Sequence, residues 1–280
     1  MDLSELRYRP GKELDDYETV PTIKLAKENA LSRIEENKVR MALLQDKLYA
    51  EGKNALLLIL QGMDTSGKDS AIKHVLTGLN PQGVEVTSFK APNATELEHD
   101  YMWRTDRALP PKGKIGVFNR SYYEDILVVR VHSLVPGRGM EDKAFWKMRC
   151  RQIRDKEQYL LENGIVPVKV FFHISKGEQA ERLLKRIDDP EKNWKFDAAD
   201  MKERAFWEDY QRAYQEAFEG TSTKEIPWYI VPADKKWYAR FLLSEILLEE
   251  LERLEPEYPV VSKQQRETLE QYRALLEKDK

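Results

Sequence analysis

The chain has 280 residues, 34% of them charged and 41% hydrophobic, with a net charge of only -3. That length can bury a substantial core, and no run approaches the roughly 18 apolar residues of a membrane span, so a soluble protein without a membrane partner is expected. Cys150 is the single cysteine, which excludes an intrachain disulfide; the N-terminal stretch lacks the basic-then-apolar layout of a secretory signal, and both point to the cytoplasm.

Residues 1 to about 25, interrupted by Pro10 and Pro21, read as an extended arm on the outside of the domain. Residues 26–51 show apolar positions three and four apart and stop at Gly52, the pattern of a helix. NALLLILQG, 54–62, is too short for a free helix and apolar throughout, as a buried parallel strand would be. KDSAIKHVLTGL reads as a helix ending at Asn80-Pro81, and VEVTSF, 84–89, alternates as a second strand. Further strands are expected at 115–119, 166–175 and 227–233, with helical patterns between them. Five strands alternating with helices predict an α/β fold with a parallel five-stranded sheet flanked by helices. KWYARFLLSEILLEELERL reads as an amphipathic helix, and 256–280 as a charged helical extension.

Chemistry concentrates at QGMDTSGKDS, which leaves the first strand and opens a helix. A G-x-x-x-x-G-K loop in that setting cradles phosphate: glycines at 62 and 67 aim backbone N–H groups inward, the helix N-terminus adds positive charge, and Lys68 reaches the transferring phosphate. Gly62, Met63, Thr65, Ser66, Gly67, Lys68, Asp69 and Ser70 are therefore candidate phosphate-binding residues. Asp69 stands where such loops carry a hydroxyl, and with Asp64 it sets two acids beside a phosphate site, an arrangement that calls for Mg²⁺ between them, with Mn²⁺ as a substitute. Alternatively, Asp69 is a helix N-terminal carboxylate favoured by the dipole.

Four ordered segments carry a resemblance: GMDTSGKD, FKAPNATELEHDYMWR (89–104), FNRSYYEDILVVRVH (118–132) and RIDDPEKNWKF (186–196). Together they resemble polyphosphate kinase 2, over about residues 35–255. The resemblance implies a P-loop kinase fold with a helical lid and Mg²⁺ dependence. It also implies a homodimer or homotetramer and transfer between inorganic polyphosphate and AMP, ADP or ATP. It assigns Asp64 and Lys68 to the reacting phosphates and metal, and Lys90, Asp100 and Arg104 to the nucleotide side. Many members carry Asp-Arg-Ser where this chain has Asn119-Arg120-Ser121; asparagine offers a neutral oxygen or a hydrogen bond instead of an anionic ligand, leaving Asp64, Asp69 and Glu124 to supply charge. The Asn-Arg-Ser version is similar to the subgroup that accepts both AMP and ADP.

Phosphoryl transfer requires arginines near the reacting phosphorus, and Arg120, just past the third strand, is the foremost candidate. Arg182 and Arg186, four apart on one helical face, would grip successive phosphates from a mobile lid over about 176–215 with Lys185, Lys192 and Lys195; a solvated basic face is the plainer alternative. Residues 101–156 hold 13 Lys/Arg against 6 Asp/Glu, enough to line a path for a flexible polyanion. Phe145 and Trp146 sit there at helical spacing with Met148 and Ile153, which favours core packing over nucleic-acid binding. His74, His99, His132 and His173 lack zinc-ligand spacing, and Cys150 lacks an activating base. The expected organisation is a kinase domain over 1–255, including the arm and helix of 1–50, followed by the extension. The alternatives to a polyphosphate donor are an ATP-dependent nucleoside monophosphate kinase, which would share loop, lid and fold, and a non-catalytic nucleotide-binding scaffold.

Overall fold

The computed structural model describes residues 2–279. Its helices in chain order are α1 (Lys27–Glu51), α2 (Lys68–Val75), α3 (Ala94–Leu97), α4 (Trp103–Asp106), α5 (Val128–Val131), α6 (Lys143–Glu162), α7 (Lys176–Asp188), α8 (Ala198–Ala205), α9 (Trp207–Thr221), α10 (Lys236–Arg253) and α11 (Lys263–Lys278). The strands are β1 (Ala55–Gln61), β2 (Val84–Ser88), β3 (Ile115–Asn119), β4 (Ile165–His173) and β5 (Trp228–Pro232). They form one sheet in the order β2-β3-β1-β4-β5, every neighbouring pair parallel. All five expected strands and the α/β class are present.

Every residue of β1, β3 and β5 is buried, as continuous apolar strands covered on both faces must be, whereas the edge strand β2 is partly exposed. The chain runs from β1 to the β2 edge, returns to β3 beside β1, then crosses to β4 on the other side. The order therefore reverses at the carboxyl end of β1, where open parallel sheets bind their ligands.

Three expectations need correction. The N-terminal arm is not merely external: Leu3, Leu6, Tyr8, Leu14 and Tyr17 are buried, and the Tyr8 amide donates to the Trp228 carbonyl at 2.7 Å, so the arm closes the exposed edge of β5. Helix α10 is not amphipathic, because α1 covers the face that a surface helix would give to water, and Asn37 of α1 bonds Ser244 at 3.1 Å between them. The range expected for a lid, about 176–215, runs into α9, whose Trp207, Tyr210, Tyr214 and Phe218 are core residues. Helix α11, capped by Ser262 and Gln265, buries no side chain.

Trp146 and Ile153 of α6 are buried and Phe145 packs against the core, as the spacing indicates, while Met148 faces outward. Burial pushes the Cys150 thiol up to about 11, which leaves it unreactive at neutral pH. His173 is buried and its pKa is pushed down to about 4, chiefly by loss of solvent.

Candidate active site

The phosphate loop sits at the switch point, between Gln61 and α2. Gly62 has φ +148 and Gly67 φ +110, and a Cβ on Gly62 would lie 2.9 Å from the Phe172 carbonyl oxygen, so no other residue fits there without displacing β4. Thr65 takes φ +64 despite its branched side chain, a strained conformation held by its neighbours.

Lys68 folds back under this loop. Its Nζ donates to the carbonyls of Gly62 at 2.6 Å and Met63 at 3.3 Å, and to Ser66 Oγ at 3.4 Å. No carboxylate lies within ion-pairing distance of it among the described residues. Burial, and then the nearby Arg120 charge, lower its pKa to about 8, against weaker opposition from Asp64, Glu124 and Asp69.

Around the lysine stand two pairs. Arg120, at φ +64 immediately after β3, donates to Asp64 Oδ1 at 2.7 Å and lies 3.9 Å from Glu124. Asn119 Nδ2 donates to Asp69 Oδ1 at 2.5 Å, joining β3 to the first turn of α2. Glu124 also accepts from Gln61 Nε2 at 3.0 Å. The loop, Asp64, Lys68, Asp69, Asn119, Arg120 and Glu124 are thus brought together.

Arg182 has a different place from the expected one. Its Nη1 donates to the carbonyls of Thr65 and Ser66 at 2.8 and 2.9 Å, its Nη2 to those of Ala233 and Asp234 at 2.6 and 3.1 Å, and its Nε to Glu178 at 2.8 Å. All five guanidinium hydrogens have partners, so this residue braces the back of the loop instead of presenting donors to phosphate. Arg186 pairs with Asp200 at 2.9 Å and with the Lys195 carbonyl, tying α7 to α8. Asp200 is raised by burial first and then by the charge of Asp64. Lys185 pairs with Glu181 at 3.6 Å, Lys192 pairs with Asp189, and the Lys195 ammonium lies 4.9 Å from the Trp194 ring centroid. These three are exposed groups.

On the expected nucleotide side, Arg104 Nη1 donates to the Lys90 carbonyl at 2.6 Å and stacks over Phe89, and the Lys90 side chain is exposed. Asp100 accepts from the Met102 amide at 3.0 Å and caps a turn, a structural task. Asp125, near Arg104 and Arg149, is pushed up to about 7 by burial, which outweighs both cations.

Several contributors escaped the sequence reading. Gln179 holds the Asp64 carbonyl at 3.1 Å and accepts from Arg204 at 2.7 Å. Beneath the site, Lys169 donates to Glu157 at 2.7 Å, and Glu157 also accepts from Tyr122 and Tyr123 at 3.0 and 2.8 Å. That network anchors the turn Tyr122–Asp125, which carries Glu124. The one available signal was the lysine in the otherwise apolar run VPVKVFF, which demands a buried counterion.

Among the described residues no three His, Cys, Asp or Glu side chains converge as a ready metal cage. Magnesium seldom uses one, being held by one or two carboxylates with waters and substrate phosphates. Asp64 and Asp69 give that all-oxygen donor set beside the loop, and Asn119 Oδ1 is a buried acceptor lacking a partner; the residues fit a hard divalent cation.

The family model for polyphosphate kinase 2 matches residues 24–259. An ADP-polyphosphate phosphotransferase of Rhodopseudomonas palustris is 51% identical over 243 residues, 85% of this chain and 84% of the relative. An AMP/ADP-polyphosphate phosphotransferase of Meiothermus ruber is 48% identical over 79% of this chain and 80% of its own length. The crystal structure of polyphosphate kinase 2 from Arthrobacter aurescens superposes with a TM-score of 0.87 at 43% identity, covering 92% of each chain. With its phosphate loop at the switch point and this match along most of its length, the chain belongs to the polyphosphate kinase 2 family.

Proposed function

We propose that this chain moves a phosphoryl group between inorganic polyphosphate and AMP or ADP by direct in-line transfer. The observation that carries the reading is Lys68, an ammonium buried at the mouth of β1 with only carbonyl and hydroxyl oxygens to hold it. Family membership and the names of the relatives above support the choice of polyphosphate as donor.

The chemistry asks little covalent work of the protein and much electrostatic positioning. Loop amides and Lys68 hold the phosphate at the end of the polyphosphate. Arg120 is tied at one nitrogen to Asp64, and turning its fork toward the transferring group would spread positive charge over the equatorial oxygens. Glu124, held by Gln61, keeps Arg120 at the site during that exchange. A divalent cation held by Asp64 and Asp69, taken here as Mg²⁺ with Mn²⁺ as substitute, would neutralise phosphate charge when bound. The Asp69–Asn119 contact orients one of these carboxylates.

The decisive experiment gives purified protein and Mg²⁺ either AMP or ADP, with polyphosphate or with ATP as donor. Product from polyphosphate with either acceptor supports the reading. Product from AMP with ATP alone would make the protein an ordinary nucleoside monophosphate kinase.

A further inference from the structure

Thr65 sits inside the phosphate loop at φ +64, a left-handed conformation that a β-branched residue adopts only at a cost. Its backbone angles are set by the peptide planes on either side of it, and each plane is held by one side chain of α7. The Asp64 carbonyl accepts from Gln179 Nε2 at 3.1 Å and the Thr65 carbonyl from Arg182 Nη1 at 2.8 Å, with the Ser66 carbonyl on the same nitrogen at 2.9 Å. Gln179 and Arg182 are three apart, so one face of one helix fixes three successive carbonyls of the loop. A trans peptide points its N–H opposite to its C=O. With their carbonyls drawn to α7, the amides of Thr65 and Gly67 are turned away from it, and neither donates to the backbone among the described residues.

Gln179 is 1% exposed and is bonded at both ends of its amide. The Asp64 carbonyl at Nε2 can only accept, and Arg204 Nη1 of α8, 2.7 Å from Oε1, can only donate. A side chain here must therefore donate at one end and accept at the other, which a carboxylate or a hydrocarbon of the same length does not do. Arg204 is fixed in turn by the Lys176 carbonyl at 2.8 Å, in the first turn of α7. The contacts run unbroken from α8 through Gln179 to the Asp64 main chain, and from the Asp64 carboxylate to Arg120 at 2.7 Å.

We propose that Gln179 is a positioning residue for phosphoryl transfer: by holding the Asp64–Thr65 peptide it keeps Thr65 left-handed and its amide turned to the phosphate, and it takes its own orientation from Arg204. The inference rests on transfer occurring at this loop, as read above, and not on which donor is used. Without the Gln179 bond the peptide is free to rotate and Thr65 relaxes toward an ordinary conformation. One donor then leaves the transferring group, while the β2–β3 side is untouched.

Steady-state kinetics with polyphosphate and AMP or ADP, on protein shown to be folded by thermal unfolding, compare wild type, Gln179→Met and Gln179→Glu. Methionine keeps the length and removes both bonds; glutamate keeps the acceptor for Arg204 and sets an oxygen against the Asp64 carbonyl, so the fold is held on that side. Both should lower kcat by about 10- to 100-fold, as misplacing one aligned donor does, with the nucleotide KM within about twofold of wild type. Asparagine tolerates the left-handed region, so in a Thr65→Asn background the further change Gln179→Met should cost about threefold or less. A merely structural role would move the melting temperature and give the same loss of kcat in both backgrounds. Wild-type kcat in the two Gln179 variants, a loss confined to nucleotide KM, or an equal cost in the two backgrounds overturns the positioning role. A wild type that transfers from ATP alone overturns the choice of donor made above, and the same variants run with ATP still decide Gln179. A wild type inactive with every donor overturns both.

Discussion

Among the described residues two lysines are removed from water, Lys169 in the middle of β4 and Lys68 in the first turn of α2, and their surroundings differ in kind. Lys169 is completely enclosed, with Glu157 at 2.7 Å, the Thr221 carbonyl at 2.7 Å, and two tyrosine hydroxyls on the same carboxylate. Lys68, 8% exposed, has only neutral oxygens of its own loop. A charge whose task is architectural comes with its counterion built in, because an unpaired one would unfold the region. A charge kept for a ligand has the counterion position open; burial lowers the pKa of both lysines, so the missing carboxylate is what sets Lys68 apart.

Substitutions can break that contrast. Lys68→Ala should reduce kcat by about 10³-fold or more, as losing a principal charge contact to the transferring phosphate does, while Lys68→Met should raise the melting temperature by relieving an uncompensated buried charge; loss of both activity and stability would show that Lys68 is architectural too. Lys169→Met should do the reverse, costing roughly 3–5 kcal/mol in urea unfolding because Glu157 is left alone in the core. The double change with Glu157→Leu should recover most of this, and no recovery would deny the pairing its role. Asn119→Asp replaces a donor to Asp69 by a second carboxylate; stability should fall by about 1–3 kcal/mol in chelator and return on adding Mg²⁺, measured by thermal unfolding with and without metal. An unchanged metal response would remove Asp69 from the cation site.

The smallest effect is in pH. The Lys68 ammonium deprotonates through about 8, so kcat/KM for the donor should fall about tenfold per pH unit above that value, kcat persisting to higher pH once phosphate is bound. Its folded pKa lies below the usual 10.5. The unfolded chain therefore holds more protons between about 8 and 10.5, and this group's contribution to stability rises with pH across that window. Lys68→Met should flatten the rise, and a profile identical to wild type would contradict it.

The strands, the phosphate loop and its place at the end of β1 were legible in the sequence because each is encoded within a few adjacent residues: an apolar run, two glycines, a lysine. The partners of Arg182 were not, since its carbonyls lie 117, 116, 51 and 52 residues away, and helical spacing alone made it look like a phosphate ligand. Arg120, by contrast, was placed correctly by its position after β3. The arm escaped because buried irregular backbone has no period, and α10 was read as amphipathic because its glutamates, three of them in buried or half-buried contacts with α1, the arm and β5, look like solvent residues in one dimension.

The closing of the β5 edge by the first residues of the chain has an implication for biosynthesis. Arg7 bridges Tyr229, so the arm has its docking place made more than 200 residues later. Until then, Leu3, Leu6 and Tyr8 emerge from the ribosome with nothing to cover them, and the outer strand, once made, stays open until they arrive. Completion of that margin therefore waits until β5 has been made, so the arm is among the last parts of the sheet to settle although it precedes every strand in the chain.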